Sequence, residues 1–114
     1  MKNEIHLKIL FVLQRKIKYQ DLPKGTYNAH HLFVIEVDDR KGLYDFLRTH
    51  HIYAQIHYIP VHTLPYYKAI GYEGASLKNS ETYYKHCISL PMFPTLTNQE
   101  QDFVIESVLN FVEQ

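Results

Sequence analysis

Apolar residues along this chain change their period several times, and each change marks an element. From Glu4 to Tyr19 they fall at Ile5, Ile9, Leu13 and Ile17, four apart, with an acid at the front and bases at the back as a helix dipole prefers. That spacing predicts a helix, although Ile5, Leu7, Ile9, Phe11 and Leu13 also alternate as a strand would. Asp21-Leu22-Pro23-Lys24-Gly25 breaks the pattern, since proline and glycine both oppose continuation. It divides the chain into residues 1–25, an N-terminal helix and linker, and residues 26–114, the main domain. Leu32 to Val37 is short, β-branched and aromatic, and reads as a buried strand closed by the helix cap Asp38-Asp39. The helix follows over Gly42 to His50, with Leu43, Phe46 and Leu47 as its packing stripe.

A second strand is expected over Ile52 to Tyr58, with Tyr53, Gln55 and His57 on one face and Ala54, Ile56 and Tyr58 on the other. Pro60 ends its ladder because proline has no N–H to donate. A short helix between Leu64 and Ile70 breaks at Gly71, and Asn79 or Ser80 is placed to cap another that runs to about Cys87. Leu90 to Pro94 reads as extended. Thr97-Asn98-Gln99-Glu100 has the form of a capping box, and Phe103, Val104, Ser107, Val108, Phe111 and Val112 make one face of the closing helix. The expected fold is α+β: a small sheet holding the strands near residues 32–37 and 52–57, joined by a short strand near Ile88 to Leu90, with helices packed mainly on one face. Element order alone does not say whether the first two strands are adjacent or parallel.

Composition narrows the function. A length of 114 residues suits one domain, and 12 basic residues balance 12 acidic ones, so no net field draws nucleic acid or an anionic membrane. The uncharged stretch Ile9 to Gln14 is too short to span a bilayer and lacks a small-residue cleavage site, so the protein is expected in the cytoplasm. Cys87 stands alone, which excludes an internal disulfide.

Candidate chemistry gathers at His57-Tyr58-Ile59-Pro60-Val61-His62, where the second strand runs out into a loop. His57 and His62 are five apart across a proline and match neither H-x-x-x-H nor C-x-x-C, so no metal site is expected. Cys87 reads as a small core residue, because its neighbour His86 points to another side of a helix and cannot serve it as a base. Among the ten tyrosines, Tyr58, Tyr66, Tyr67, Tyr72, Tyr83 and Tyr84 suit a core or subunit interface, and suit sugar recognition equally in kind. No Gly-rich phosphate loop, paired cysteines or nucleophile elbow accompanies them, so no catalytic residue is assigned.

A series of blocks then occurs in order: Ala29-His30-His31-Leu32-Phe33-Val34-Ile35, Leu43 with Leu47, His51-Ile52, Ile56 to His62, Pro65-Tyr66-Tyr67, Leu77 to Glu81, and Ile88 to Thr97. The series resembles the C-terminal domain of the DegT/DnrJ/StrS family of pyridoxal-phosphate (PLP) sugar aminotransferases. Within the family it looks most like the enzymes that aminate a UDP-4-keto-6-deoxy-N-acetylhexosamine on the way to pseudaminic acid. The resemblance implies the small domain of a fold-type-I transaminase that moves an amino group from glutamate, through PLP, to C4 of a UDP-linked keto-sugar. It also implies a homodimer, or association with a large aminotransferase domain that holds most of the cofactor. By the same match His62 and Tyr66 are the leading candidates for contacts at the sugar or the active-site mouth, with His57 and Tyr58 next. Neutral imidazole and phenol groups suit that role, since they hydrogen-bond hydroxyl or N-acetyl groups without full charge.

The departure from the family pattern matters as much. A Schiff-base lysine, an acid for the pyridinium and a phosphate cup have no recognisable counterpart here; Lys85 sits in Tyr-Tyr-Lys-His on an expected helix. No PLP is therefore expected on this chain alone, and transamination by it alone is not expected. Met1 to Gln20 fits the family less well, and the start reads as a new beginning, a truncation or a disrupted reading frame. The competing reading is a non-catalytic interaction or regulatory module that retains the small-domain fold.

Overall fold

The computed structural model describes residues 16–29 and 31–114. A three-stranded antiparallel sheet has the order β1 (Lys18–Tyr19), β2 (Phe33–Glu36), β3 (Cys87–Leu90). Among the described residues four α-helices accompany it: α1 (Arg40–Thr49), the single turn α2 (Pro65–Tyr67), α3 (Lys78–His86) and α4 (Asn98–Val112). The expected α+β architecture is the one observed.

Pairing in register places Phe33 opposite Leu90 and Ile35 opposite Ile88, so the apolar residues of both strands share one face. Leu43 and Leu47 of α1 and Val104, Ile105 and Val108 of α4 close over that face, all buried. Burial of each such side chain contributes about 1.5–3 kcal/mol. The Asp39 carboxylate accepts from the Gly42 N–H and caps α1, while Thr97 and Glu100 form the reciprocal capping box of α4. The α4 face is broader than periodicity suggested: Gln101 and Ile105 are buried and Phe103 is 47% exposed.

Three local expectations are corrected. The helix expected over Glu4 to Tyr19 falls mainly outside the described residues, but Lys18–Tyr19 form strand β1, paired antiparallel with β2. Ile17 is buried and Tyr19 packs against the core, with the 21–25 segment a loop that leads to β2. Ile52 to Tyr58 is not a regular strand. Gln55 alone pairs, exchanging both backbone hydrogen bonds with Ser89 on the far side of β3 from β2. Ile52 and Ala54 are nonetheless buried while Tyr53 is exposed, which is the alternation that suggested a strand. Finally, Leu77 rather than Asn79 or Ser80 precedes α3, whose first turn has no side-chain cap.

Candidate functional site

The stretch after Ala54 leaves the edge of β3 and stands outside the sheet. Gln55 holds it to Ser89 through backbone, and the His57 ring repeats the attachment, its Nδ1 sharing a hydrogen bond of 3.0 Å with Ser89 Oγ. The Cys87 thiol donates to the His57 carbonyl at 3.5 Å. Pro60 then opens a tight turn: the Thr63 N–H and hydroxyl both donate to its carbonyl, at 2.9 and 2.6 Å. Pro65 starts α2, where its missing N–H costs nothing. The irregular turn Lys68–Tyr72 follows and is kinked at Gly71, whose φ of 120° only glycine adopts without strain.

Within this loop the four candidate residues have different fates. Tyr58 is 72% exposed and leans on the His57 ring, with centroids 4.6 Å apart. Tyr66 is 66% exposed and packs edge-on against Tyr67 at 5.2 Å, with Tyr72 beyond it. His62 turns inward instead. Its ring is buried, and Nε2 meets Glu81 Oε1 of α3 at 2.9 Å. Because an ionised carboxylate only accepts, Nε2 carries the proton in this bond. That hydrogen bond is the main reason the Glu81 carboxyl is held below its ordinary range. The loop is thus tied to the body at two histidines, one to β3 and one to α3, and presents Tyr58, Ile59, Val61 and Tyr66 outward.

The partners Ser89 and Glu81 were not among the expected site residues. Both lie far along the chain from the histidines they hold, and only the fold brings them there. Elsewhere, Arg40 at the start of α1 donates to the Tyr84 carbonyl and lies over the Tyr84 ring at 4.7 Å, fastening α1 to the end of α3. Cys87 is fully buried and burial pushes its thiol up, against the pull of Arg40, so it is not disposed to act as a nucleophile. Among the described residues no three of His, Cys, Asp or Glu converge as a metal site, and no helix is long and apolar enough to cross a membrane. A cleft of about 450 Å³ lies elsewhere, between Tyr19, Phe33, Glu36 and Tyr83, and none of the four candidates lines it.

A small antiparallel sheet covered by two helices, with an aromatic loop projecting from its edge, defines an α+β module of the kind found in sugar aminotransferases. The sequence matches the DegT/DnrJ/EryC1/StrS aminotransferase family over residues 7–109, and the chain belongs to that family. The match starts upstream of Ala29, where the recognisable blocks begin. The spore coat polysaccharide biosynthesis protein SpsC of Bacillus subtilis is 36% identical over 94 residues, 75% of this chain and 24% of that protein. Among solved structures, an aminotransferase of the same family from Brucella abortus superposes with a TM-score of 0.87 at 28% identity, covering 99% of this chain and 30% of its own. The fold is likewise that of Helicobacter pylori PseC, an aminotransferase involved in pseudoaminic acid biosynthesis, with a TM-score of 0.88 at 23% identity over 98% of this chain and 31% of that one. The chain therefore spans about a quarter of the length of the curated relative it matches.

PLP does not fit the residues described. All the lysines among them are exposed. One cleft of about 300 Å³ carries Lys16 and Lys18 beside Glu36, Asp38, Thr82 and His86. His86 ends α3, at the negative end of its dipole, and Glu36 and Asp38 offset the charge of the two lysines. A phosphate group therefore meets no net positive field there.

Proposed function

We propose that this chain is the C-terminal part of a PLP-dependent nucleotide-sugar aminotransferase. The complete enzyme moves an amino group from glutamate to C4 of a UDP-4-keto-6-deoxy sugar, with an N-acetylhexosamine of the pseudaminic acid type as the favoured substrate. The supporting observation is that nearly the whole chain superposes on less than a third of several such aminotransferases. The lysine-bearing remainder, supplied by a large aminotransferase domain within a dimer, completes the site in the cytoplasm. Alone, this chain does not transaminate.

Its contribution is one wall of the sugar-nucleotide pocket. The Tyr58 and Tyr66 hydroxyls, both outward, donate to or accept from sugar hydroxyl and N-acetyl groups, and the His57 ring supports Tyr58 from behind. His62 belongs to the same wall but lies beneath its surface. Titrating the purified chain with UDP-N-acetylglucosamine, followed by NMR of tyrosine ring protons, tests this reading. Shifts at Tyr58 and Tyr66 that disappear in Tyr58→Ala and Tyr66→Ala are expected. Shifts confined to other tyrosines, or none at millimolar sugar nucleotide, contradict it.

A further inference from the structure

From Tyr58 to His86, His62 is the single buried residue. An imidazole thus does for this whole excursion what a leucine does elsewhere in the fold. Apart from the turn bonds near Pro60, the hydrogen bond His62 Nε2–H to Glu81 Oε1 is the one side-chain bond among the described residues that ties the loop beyond His57 to another element. The rest of the loop has only short-range backbone bonds, such as Leu64 N–H to Val61 and Lys68 N–H to Leu64. Tyr66, Tyr67 and Tyr72 pack on one another and are all at least a third exposed.

We propose that the His62–Glu81 pair is a clamp: it fixes the aromatic loop onto α3, and His62 is a positioning residue for the face that carries Tyr58 and Tyr66. The clamp rests on geometry alone, while its value for sugar recognition rests on the function proposed above. The buried His62 donor and the Glu81 acceptor, in the first turn of α3, hold a stretch with no other buried residue, which offsets part of the conformational entropy lost in ordering it. Breaking it releases the loop without dismantling the β2–β3–α1–α4 core, which it does not enter.

Limited trypsin digestion decides the matter, since Lys68 lies in the loop and Lys24 in a separate exposed segment that serves as internal control. Glu81→Ala should raise cleavage after Lys68 by about tenfold, in keeping with one lost charged hydrogen bond, and leave cleavage after Lys24 unchanged. Glu81→Gln retains an acceptor oxygen but, like alanine, removes the favourable charge from the first turn of α3, so it should keep most of the protection. Equal cleavage after Lys68 in wild type and Glu81→Ala overturns the clamp, as does equal sensitivity of the Ala and Gln variants. Independently of any variant, the His62 Nε2–H proton of the wild-type chain should persist in NMR spectra against solvent exchange; its rapid exchange also overturns the proposal. UDP-N-acetylglucosamine titrations of the same variants separate the two ideas: sugar nucleotide that never binds removes the recognition role and leaves the cleavage result to decide the clamp.

Discussion

Gly42→Ala makes a prediction whose sign depends on the structure. Gly42 lies in the first turn of α1, and helix propensity alone favours alanine there by about 1 kcal/mol. The added methyl, however, would lie 2.7 Å from Asp39 Cγ and 2.8 Å from Phe111 Cζ, closer than real contacts permit. Asp39 is the N-cap of α1, accepting from the Gly42 N–H at 3.0 Å, and displacing it forfeits about 0.5–2 kcal/mol. Phe111 packs on Phe46, with centroids 5.4 Å apart where α4 meets α1, and overpacking there costs about 1–3 kcal/mol. The penalties outweigh the propensity gain, leaving a net loss of about 2 kcal/mol. For a chain of 114 residues each kcal/mol shifts Tm by about 4 °C, so a fall of about 8 °C is expected in thermal unfolding followed by circular dichroism. In an Asp39→Ala background the same change should cost less, because the cap is already gone. An unchanged or raised Tm, or an equal cost in both backgrounds, refutes the reasoning.

Other outcomes follow from the same geometry. The Glu81 carboxyl is held below its ordinary range by the hydrogen bond from His62, so it contributes stability above the unfolded carboxylate range that is lost as pH falls through its folded value. Urea unfolding between about pH 5 and pH 3 should therefore show wild type losing its advantage over Glu81→Gln, and parallel profiles contradict the assignment. Thr97→Ala removes the α4 capping box and should destabilise by about 1 kcal/mol in urea; no change assigns the cap no role. Cys87, buried and with its thiol pushed up, should react with a thiol reagent only as fast as the protein opens, so prompt labelling of native protein contradicts its burial.

The elements that could be read from sequence are those whose apolar period agrees with their packing. Leu43 with Leu47, and Val104 with Val108, lie at helical spacing on α1 and α4 and are buried, and Phe33 and Ile35 alternate into the core on β2. The segment at residues 52–58 misled because alternation reports which side chains are buried, not whether a neighbouring strand is there to pair. Only Gln55 found a partner, Ser89 of β3. The two-residue strand β1 escaped notice for the opposite reason, being too short to show a period.

At the site, residue type drew attention to His57 and His62, but not their unlike roles. What distinguishes them is the position of Ser89 and Glu81, each brought close by folding rather than by spacing. The exposure of Tyr58 and Tyr66 likewise depends on the turn at Pro60 and on where α3 lies, which local pattern does not encode.

In the function we propose, this chain carries a substrate-side wall of a sugar aminotransferase without the lysine that holds the cofactor. Incubation with PLP, borohydride reduction and peptide mass mapping test it most directly. Only low, scattered labelling across the exposed lysines is expected. Stoichiometric labelling of one lysine, with the others untouched, contradicts it.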